Sequence, residues 1–227
     1  FGQAFSFPFQ DSDWFKKIAI TGLISLIPVV GGLYLMGWML DVMRRVMNDD
    51  PETLPPEVDF GGFIVRGLQV FVISLVYAIP LIIFSAPGPI MPMALEAVGM
   101  DADTMGIISI VVSVCCGGLS FIYGLFMALM LPAAYALFLR EGSLGAAFKF
   151  GYVFKLVKSA IGPYALVLVG SLAASLISSL GMIACVVGLL ITMPYALAIM
   201  GHLYGQAYKQ AQVNLGLARS EERRVGK

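Results

Sequence analysis

Four long apolar segments, separated by short polar stretches, dominate the sequence. They cover residues 18–43, 67–85, 106–139 and 162–206. A helix needs about 20 residues to cross the hydrocarbon core of a membrane, since each residue advances it by about 1.5 Å. The last segment is long enough for two helices, with a break around residues 181–188. The alternation typical of a membrane β-barrel does not occur, so the apolar segments are predicted to be helices.

The positions of the Lys and Arg residues predict which connections face the cytoplasm. The connection at residues 86–105 contains neither residue type, and neither does the 181–188 turn. Because cytoplasmic loops of membrane proteins are enriched in Lys and Arg, both connections are predicted to lie on the opposite side. Two hairpins follow, formed by residues 63–139 and 161–209, with the N- and C-termini cytoplasmic.

The first apolar segment, residues 18–43, has basic pairs at both ends, Lys16–Lys17 and Arg44–Arg45. Positive charge at both ends favours a hairpin that starts and ends on the cytoplasmic side and turns at Pro28–Gly32. Its two arms of about 20 Å fall short of a core of about 30 Å, so the hairpin is short or re-entrant. A single crossing with the N-terminus outside is the alternative.

An internal similarity supports the hairpin. Residues 29–43, VVGGLYLMGWMLDVM, resemble residues 186–200, VVGLLITMPYALAIM, where Val-Val-Gly starts the returning helix. The predicted fold is therefore an all-α polytopic membrane helical bundle of about six helical segments in three hairpins. Residues 1–212 form its single membrane domain, and residues 213–227 form a mobile charged tail.

Two stretches have the composition of segments that lie at the membrane surface. Residues 1–17 mix aromatic and charged side chains, as interfacial belts do, and we predict that they anchor the chain there. Their alternating phenylalanines leave a partner-binding strand as the alternative. Residues 143–159 predict an amphipathic helix in the headgroup plane, with Ser143 as its cap. Its polar side contacts lipid headgroups through Lys149, Lys155 and Lys158. Its apolar side consists of Ala147, Phe150, Val153, Phe154 and Val157.

The composition agrees with a membrane protein and excludes several other classes. The chain is 59% hydrophobic and 12% charged, whereas soluble domains are about 25% charged. Its net charge is zero, so a nucleic-acid partner is not expected. Its three cysteines lie in apolar segments without a metal-ligand spacing, and we expect them to be buried packing residues. No hydrolase, nucleotide-binding or metalloprotease motif occurs, so we expect neither catalysis nor a cofactor.

Ionisable groups within apolar segments are the first candidates for function. Asp41 precedes Arg44 and Arg45 by three and four residues, the spacing of a local ion pair on a helix. His202 precedes Gln206 by four residues on the same face and forms a second candidate polar site. Small residues that let helices pack closely form a third set, namely Gly170, Ser171, Ala174, Ser175, Gly201 and Gly205.

Several sequence motifs resemble one family. They are the opening PFQDSDWFKK, the turn IPVVG, the Arg44–Arg45 pair and GHLYGQAY near the end. They are similar to the prokaryotic membrane-protein family known as domain of unknown function 4013, over roughly Phe7 to Lys209. The resemblance implies a multi-pass protein of the prokaryotic cytoplasmic (inner) membrane and assigns no activity.

The absence of an enzyme motif and the abundance of small-residue faces favour a non-enzymatic accessory or structural subunit. Its expected partners are membrane lipids and other membrane protein subunits or a second copy of itself. A small transporter or channel, built from hairpins broken by Pro and Gly, is the alternative.

Overall fold

A computed structural model describes residues 2–52, 54–55, 59–181 and 185–216. Every regular element in these ranges is helical, so the prediction of an all-α helical bundle is confirmed. In chain order the elements are α1 (Gly2–Ser6), a 3-10 helix (Phe7–Gln10), α2 (Trp14–Ser25), α3 (Val30–Met47), α4 (Phe60–Ser85), α5 (Pro87–Ala97), α6 (Ala102–Glu141), α7 (Leu144–Ala147), α8 (Phe150–Ser159), α9 (Ile161–Gly181) and α10 (Cys185–Asn214).

Four helical stretches in the described part of the chain are long and apolar enough to cross a membrane. They are Phe60–Ala97, Ala102–Glu141, Ile161–Gly181 and Gly188–Asn214. The chain folds as two compact units, where the sequence predicted one membrane domain over residues 1–212. The first unit consists of Phe1–Ile73 with Pro132–Lys227, and the second unit consists of Ser74–Leu131.

The first apolar segment forms a hairpin of α2 and α3. Its chain reverses between Leu26 and Val29, and α2 packs against α3. The single continuous crossing is therefore wrong. The turn also lies slightly earlier than predicted, because Gly31 and the residue after it belong to α3.

Gly31 serves close packing rather than the turn itself. A Cβ at this position would lie 2.6 Å from the carbonyl oxygens of Ile24 and Ser25, at the end of α2. The turn instead contains Pro28, whose missing N–H costs nothing just before a helix, and Val29 at φ 65°. The hairpin is therefore tight at its closed end.

Helix α10 packs against α2, α3 and α9 in the first unit. Gly22 of α2 meets the backbone of Leu190, near the start of α10. Gly201 and Gly205 further along α10 meet α3 at Met39 and Met43, respectively. Since both sets of numbers rise together, α10 runs parallel to α3 and antiparallel to α2.

The N-terminal segment is helical and contributes to the core. Phe7 is 4% exposed and packs in a cluster with Trp38 and Phe63. Phe9, by contrast, is 54% exposed. The partner-binding strand is therefore wrong, and surface anchoring does not describe Phe7, because the 3-10 helix turns its side chain inward.

The predicted interfacial helix at residues 143–159 is two helices, α7 and α8, separated at residues 148–149. Ser143 precedes α7 as its N-cap but makes no side-chain capping bond. Helix α8 buries Val153, Leu156 and Val157. Of the expected apolar side, Val153 and Val157 pack inside the protein, whereas Phe150 and Phe154 are more than half exposed.

The second unit consists of the end of α4, α5 and most of α6. The Tyr123 hydroxyl donates a hydrogen bond of 2.8 Å to the Tyr77 carbonyl, which joins its two long arms. The expected connection at residues 86–105 instead contains the eleven-residue helix α5. Cys115 is exposed, contrary to the expected burial.

Helices α9 and α10 form the predicted last hairpin. Its turn includes residues 182–184, which lie outside the described residues. Helix α10 extends to Asn214, two residues into the predicted tail. Residues 217–227 of that tail also lie outside the described part of the chain.

Candidate functional site

Asp41 is the centre of the most highly charged buried site in the described residues. It lies on α3, and its side chain is 3% exposed. Arg44 and Arg45 follow at three and four residues, so the helix places both beside it. The Nε atoms of Arg44 and Arg45 each donate a hydrogen bond of 2.9 Å to the Asp41 carboxylate, and Nη2 of Arg44 lies 2.7 Å from it. Nη1 of Arg45 also donates to the carbonyl of Glu52.

Arg66 completes this site from another helix. Its Nη1 lies 2.9 Å from Oδ1 of Asp41, 25 residues earlier in the chain. The contact forms because α4 packs closely and antiparallel against α3: Gly37 meets the backbone of Phe63, and Gly67 meets that of Leu33. The Arg66 guanidinium also lies 5.8 Å from the centre of the Phe63 ring, within cation–π range.

We call Asp41, Arg44, Arg45 and Arg66 the Asp41 cluster. A cavity of about 320 Å³ lies beside it and is lined by all four residues together with Pro55, Asp59 and Phe63. Asp59 is exposed and accepts a hydrogen bond from the amide of Gly62 at the start of α4. The cluster holds one buried negative charge among three positive charges.

His202 is the second polar site. It is 8% exposed on α10 and stacks on Phe7, with ring centres 4.3 Å apart. The Gln206 side-chain nitrogen lies 2.8 Å from His202 Nε2, within hydrogen-bond distance. Nδ1 is buried and has no hydrogen-bond partner among the described residues.

Two cavities of the first unit meet at His202. One, of about 580 Å³, lies along α10 and is also lined by Gln206, Leu166 and Asp49. The other, of about 530 Å³, lies beneath the N-terminal segment and is also lined by Phe7. His202 therefore forms part of both walls.

The predicted helix-packing residues are used inside the chain. Gly201 and Gly205 face α3. On α9, which packs against α10, Gly170 and Ala174 are buried and Ser171 is half-buried. The exception is Ser175, which is exposed. These residues therefore build the first unit itself.

The three candidate headgroup lysines differ in their surroundings. Lys149 lies 2.6 Å from Glu141 as an exposed ion pair, in which its side chain is 56% exposed. Lys155 and Lys158 are exposed on α8, on the side that also presents Phe154. Helix α8 thus presents cations and aromatic rings together, as interfacial helices do.

Arg66 and Phe7 are site residues that the sequence patterns did not predict. A signal for Arg66 was present: Asp41 lies six residues before the end of α3 at Met47, and Arg66 lies six residues after the start of α4 at Phe60. In an antiparallel pair these positions are at the same depth. No comparable pattern indicates that Phe7 stacks on a histidine 195 residues later in the chain.

The profile of the family described as "Protein of unknown function (DUF4013)" matches residues 20–187, well over half of the chain. The chain belongs to this family. The match includes the Asp41 cluster but ends before His202, and the opening and closing motifs of the resemblance lie outside it. No curated protein and no solved structure matches this family member. Among its described residues, no group of His, Cys, Asp and Glu is placed to hold a metal ion.

Proposed function

We propose that this protein is a non-enzymatic accessory subunit of the prokaryotic cytoplasmic membrane, with both termini cytoplasmic. It packs against other membrane proteins through the second unit, Ser74–Leu131. The observation that supports this most is the lack of buried residues in the most apolar stretch of α6. The most apolar 18 residues of Ala102–Glu141 have a mean hydropathy of 2.2, against 2.3 for those of Phe60–Ala97. None of these 18 residues of α6 is buried.

The glycines of the two units support the same proposal by their contrast. In the first unit, Gly22, Gly37 and Gly67 each meet the backbone of a neighbouring helix, although Gly32 faces open space. On α6, Gly117 and Gly124 have nothing within 4 Å of where a Cβ would be. Glycine lowers helix stability by about 1 kcal/mol relative to alanine, so an open glycine face is favourable where a further helix fits against it.

Site-specific photo-crosslinking in native membranes tests this proposal. A photoreactive residue replaces Ser113, which shares the face of Gly117 and Gly124, or Ile122, which is nine residues away on the opposite face and 66% exposed. We expect a discrete protein adduct from position 113 and only lipid adducts from position 122. Lipid adducts from both positions would show that lipid alone covers α6 and would contradict the proposal.

Transport is a second candidate, favoured by the two cavities that meet at His202. A substrate or proton path would use its unpartnered Nδ1 and the Gln206 amide. Proton and cation flux into proteoliposomes tests it with His202→Ala and Gln206→Ala, and with Leu172→Ala, 67% exposed on α9, as the control. Transport predicts loss of flux in the first two variants at normal expression. Unchanged flux removes the candidate.

A further inference from the structure

We propose that the Asp41 cluster is a binding site for the phosphate group of a ligand. Its basis is geometric: three guanidinium groups from two helices converge on one buried carboxylate and line a cavity of about 320 Å³. The inference is independent of the accessory-subunit proposal, which concerns the second unit.

The three arginines have more hydrogen-bond donors than Asp41 can accept. A carboxylate offers about four lone-pair positions, and four arginine nitrogens already contact Asp41: Nε and Nη2 of Arg44, Nε of Arg45 and Nη1 of Arg66. Asp41 is therefore saturated. Each guanidinium carries five N–H donors, so further donors remain on the arginines that line the cavity. These donors are suited to a second oxygen-rich acceptor.

The cavity also carries an excess of positive charge. Among the described residues that line it, Arg44, Arg45 and Arg66 are cationic, whereas Asp41 and Asp59 are anionic. One positive charge is left over, which favours an anionic ligand. The buried Asp41 holds the guanidinium groups close together despite their mutual repulsion, so the site is organised before a ligand binds.

The shape of the guanidinium groups and the size of the cavity suit a phosphate. Guanidinium groups form bidentate hydrogen bonds with phosphate oxygens, and a phosphate accepts such bonds from several arginines at once. Ligand pockets usually measure about 300–1,000 Å³, so this cavity is at the small end and matches a phosphate ester headgroup. The arginines are also accessible, since the Arg44 side chain is 41% exposed and that of Arg66 is 32% exposed.

Both a lipid headgroup and a free phosphate have this chemistry. The site lies where the membrane-spanning stretch Phe60–Ala97 begins, and Val65 and Leu68 on the outer side of α4 are at least half exposed. A lipid bound there has its phosphate beside the cluster and its acyl chains along an apolar helix. A soluble phosphate ester enters the same cavity from water.

Calorimetric titration of the full chain in a neutral detergent tests the proposal. The probes are dihexanoylphosphatidic acid, dihexanoylglycerol (which lacks the phosphate), sodium phosphate and sodium acetate. We expect saturable binding of the phosphatidic acid and none of dihexanoylglycerol or acetate. Binding of sodium phosphate as well indicates a site for free phosphate, and binding of the lipid alone indicates a headgroup site. Failure of both phosphate probes, or equal binding of dihexanoylglycerol or acetate, overturns the proposal.

Variants locate the site. Arg44→Gln and Arg66→Gln should each raise the Kd at least tenfold, and Lys16→Gln, which removes an exposed cation outside the cavity, should change it less than twofold. Helicity and elution volume check the fold of each variant. Should Arg66→Gln not fold, Arg44→Gln decides the question, because its more exposed side chain contributes less to packing. Unchanged binding in Arg44→Gln overturns the proposal.

Discussion

The crossing of α3 and α4 gives a sharp test of the fold, because two glycines on one helix have opposite surroundings. A Cβ on Gly37 would lie 1.8 Å from the carbonyl oxygen of Phe63 on α4. A Cβ on Gly32 would have nothing within 4 Å. Gly37→Ala and Gly32→Ala therefore make the same chemical change, in the same helix, with and without a backbone obstacle.

The magnitudes follow from these distances. Since real Cβ atoms do not approach other atoms closer than 3.0 Å, Gly37→Ala must separate the helices by about 1.2 Å. Overpacking costs about 1–3 kcal/mol, and the upper end applies because backbone yields less than a side-chain tip. Alanine returns about 1 kcal/mol of helix propensity, which leaves a net loss of about 2 kcal/mol. Gly32→Ala receives only the propensity gain, so the two variants should differ by about 3 kcal/mol.

Unfolding by sodium dodecyl sulfate in mixed micelles, followed by circular dichroism, measures this difference. Gly37→Ala should unfold at a lower detergent fraction than the natural chain, and Gly32→Ala at the same or a higher fraction. Gly67→Ala, whose Cβ would lie 1.8 Å from the Leu33 carbonyl oxygen, should behave like Gly37→Ala. Equal midpoints for Gly37→Ala and Gly32→Ala would refute the close crossing and, with it, the geometry that brings Arg66 to Asp41.

Three further outcomes are expected. Phe7→Ala should destabilise the protein by about 3 kcal/mol in the same assay, as for a buried aromatic residue, whereas Phe9→Ala, exposed at 54%, should have little effect. Asp41→Asn should lower stability by more than about 1 kcal/mol, because it removes a buried charge that pairs with arginines. The loss should be smaller than for breaking a fully buried ion pair, since these arginines can reach water. Asp49→Asn changes a side chain that is 77% exposed and should not lower stability by this amount. Hydrogen bonds from Thr104 at the start of α6 lower the pKa of Asp101. The Asp101 carboxylate should therefore hold the Thr104 amide above the ordinary pKa and release it as the pH falls through the lowered value. The protection factor of this amide against hydrogen exchange should fall at low pH, and in Asp101→Ala it should already be low at neutral pH.

Hydropathy and charge predicted the helical membrane fold and the first hairpin because both are properties of continuous segments. Basic pairs at each end of residues 18–43 favoured a return to the same side, and the structure reverses there. The prediction was less accurate for residues 143–159, which form two short helices instead of one. The helix predicted over residues 143–159 is interrupted at residues 148–149, and no periodicity in the sequence marks that break.

The candidate sites show the same limit. The Asp41–Arg44 contact is local and follows from helical spacing alone. The contact with Arg66 needs the depth of two helices, and the stack of Phe7 on His202 needs the path of the whole chain. Sequence patterns therefore identified half of each site, namely the half that lies on one helix.

Glycine shows why hydropathy cannot separate a packing face from a lipid-facing one. Gly67 on α4 and Gly117 on α6 lie in equally apolar segments, yet one touches a backbone carbonyl and the other faces open space. The first kind explains how α3 and α4 come close enough for Asp41 and Arg66 to meet. The second kind supports a partner helix on α6. Because these surfaces belong to different units, loss of phosphate binding leaves the crosslinking result intact, and loss of the protein adduct leaves phosphate binding intact.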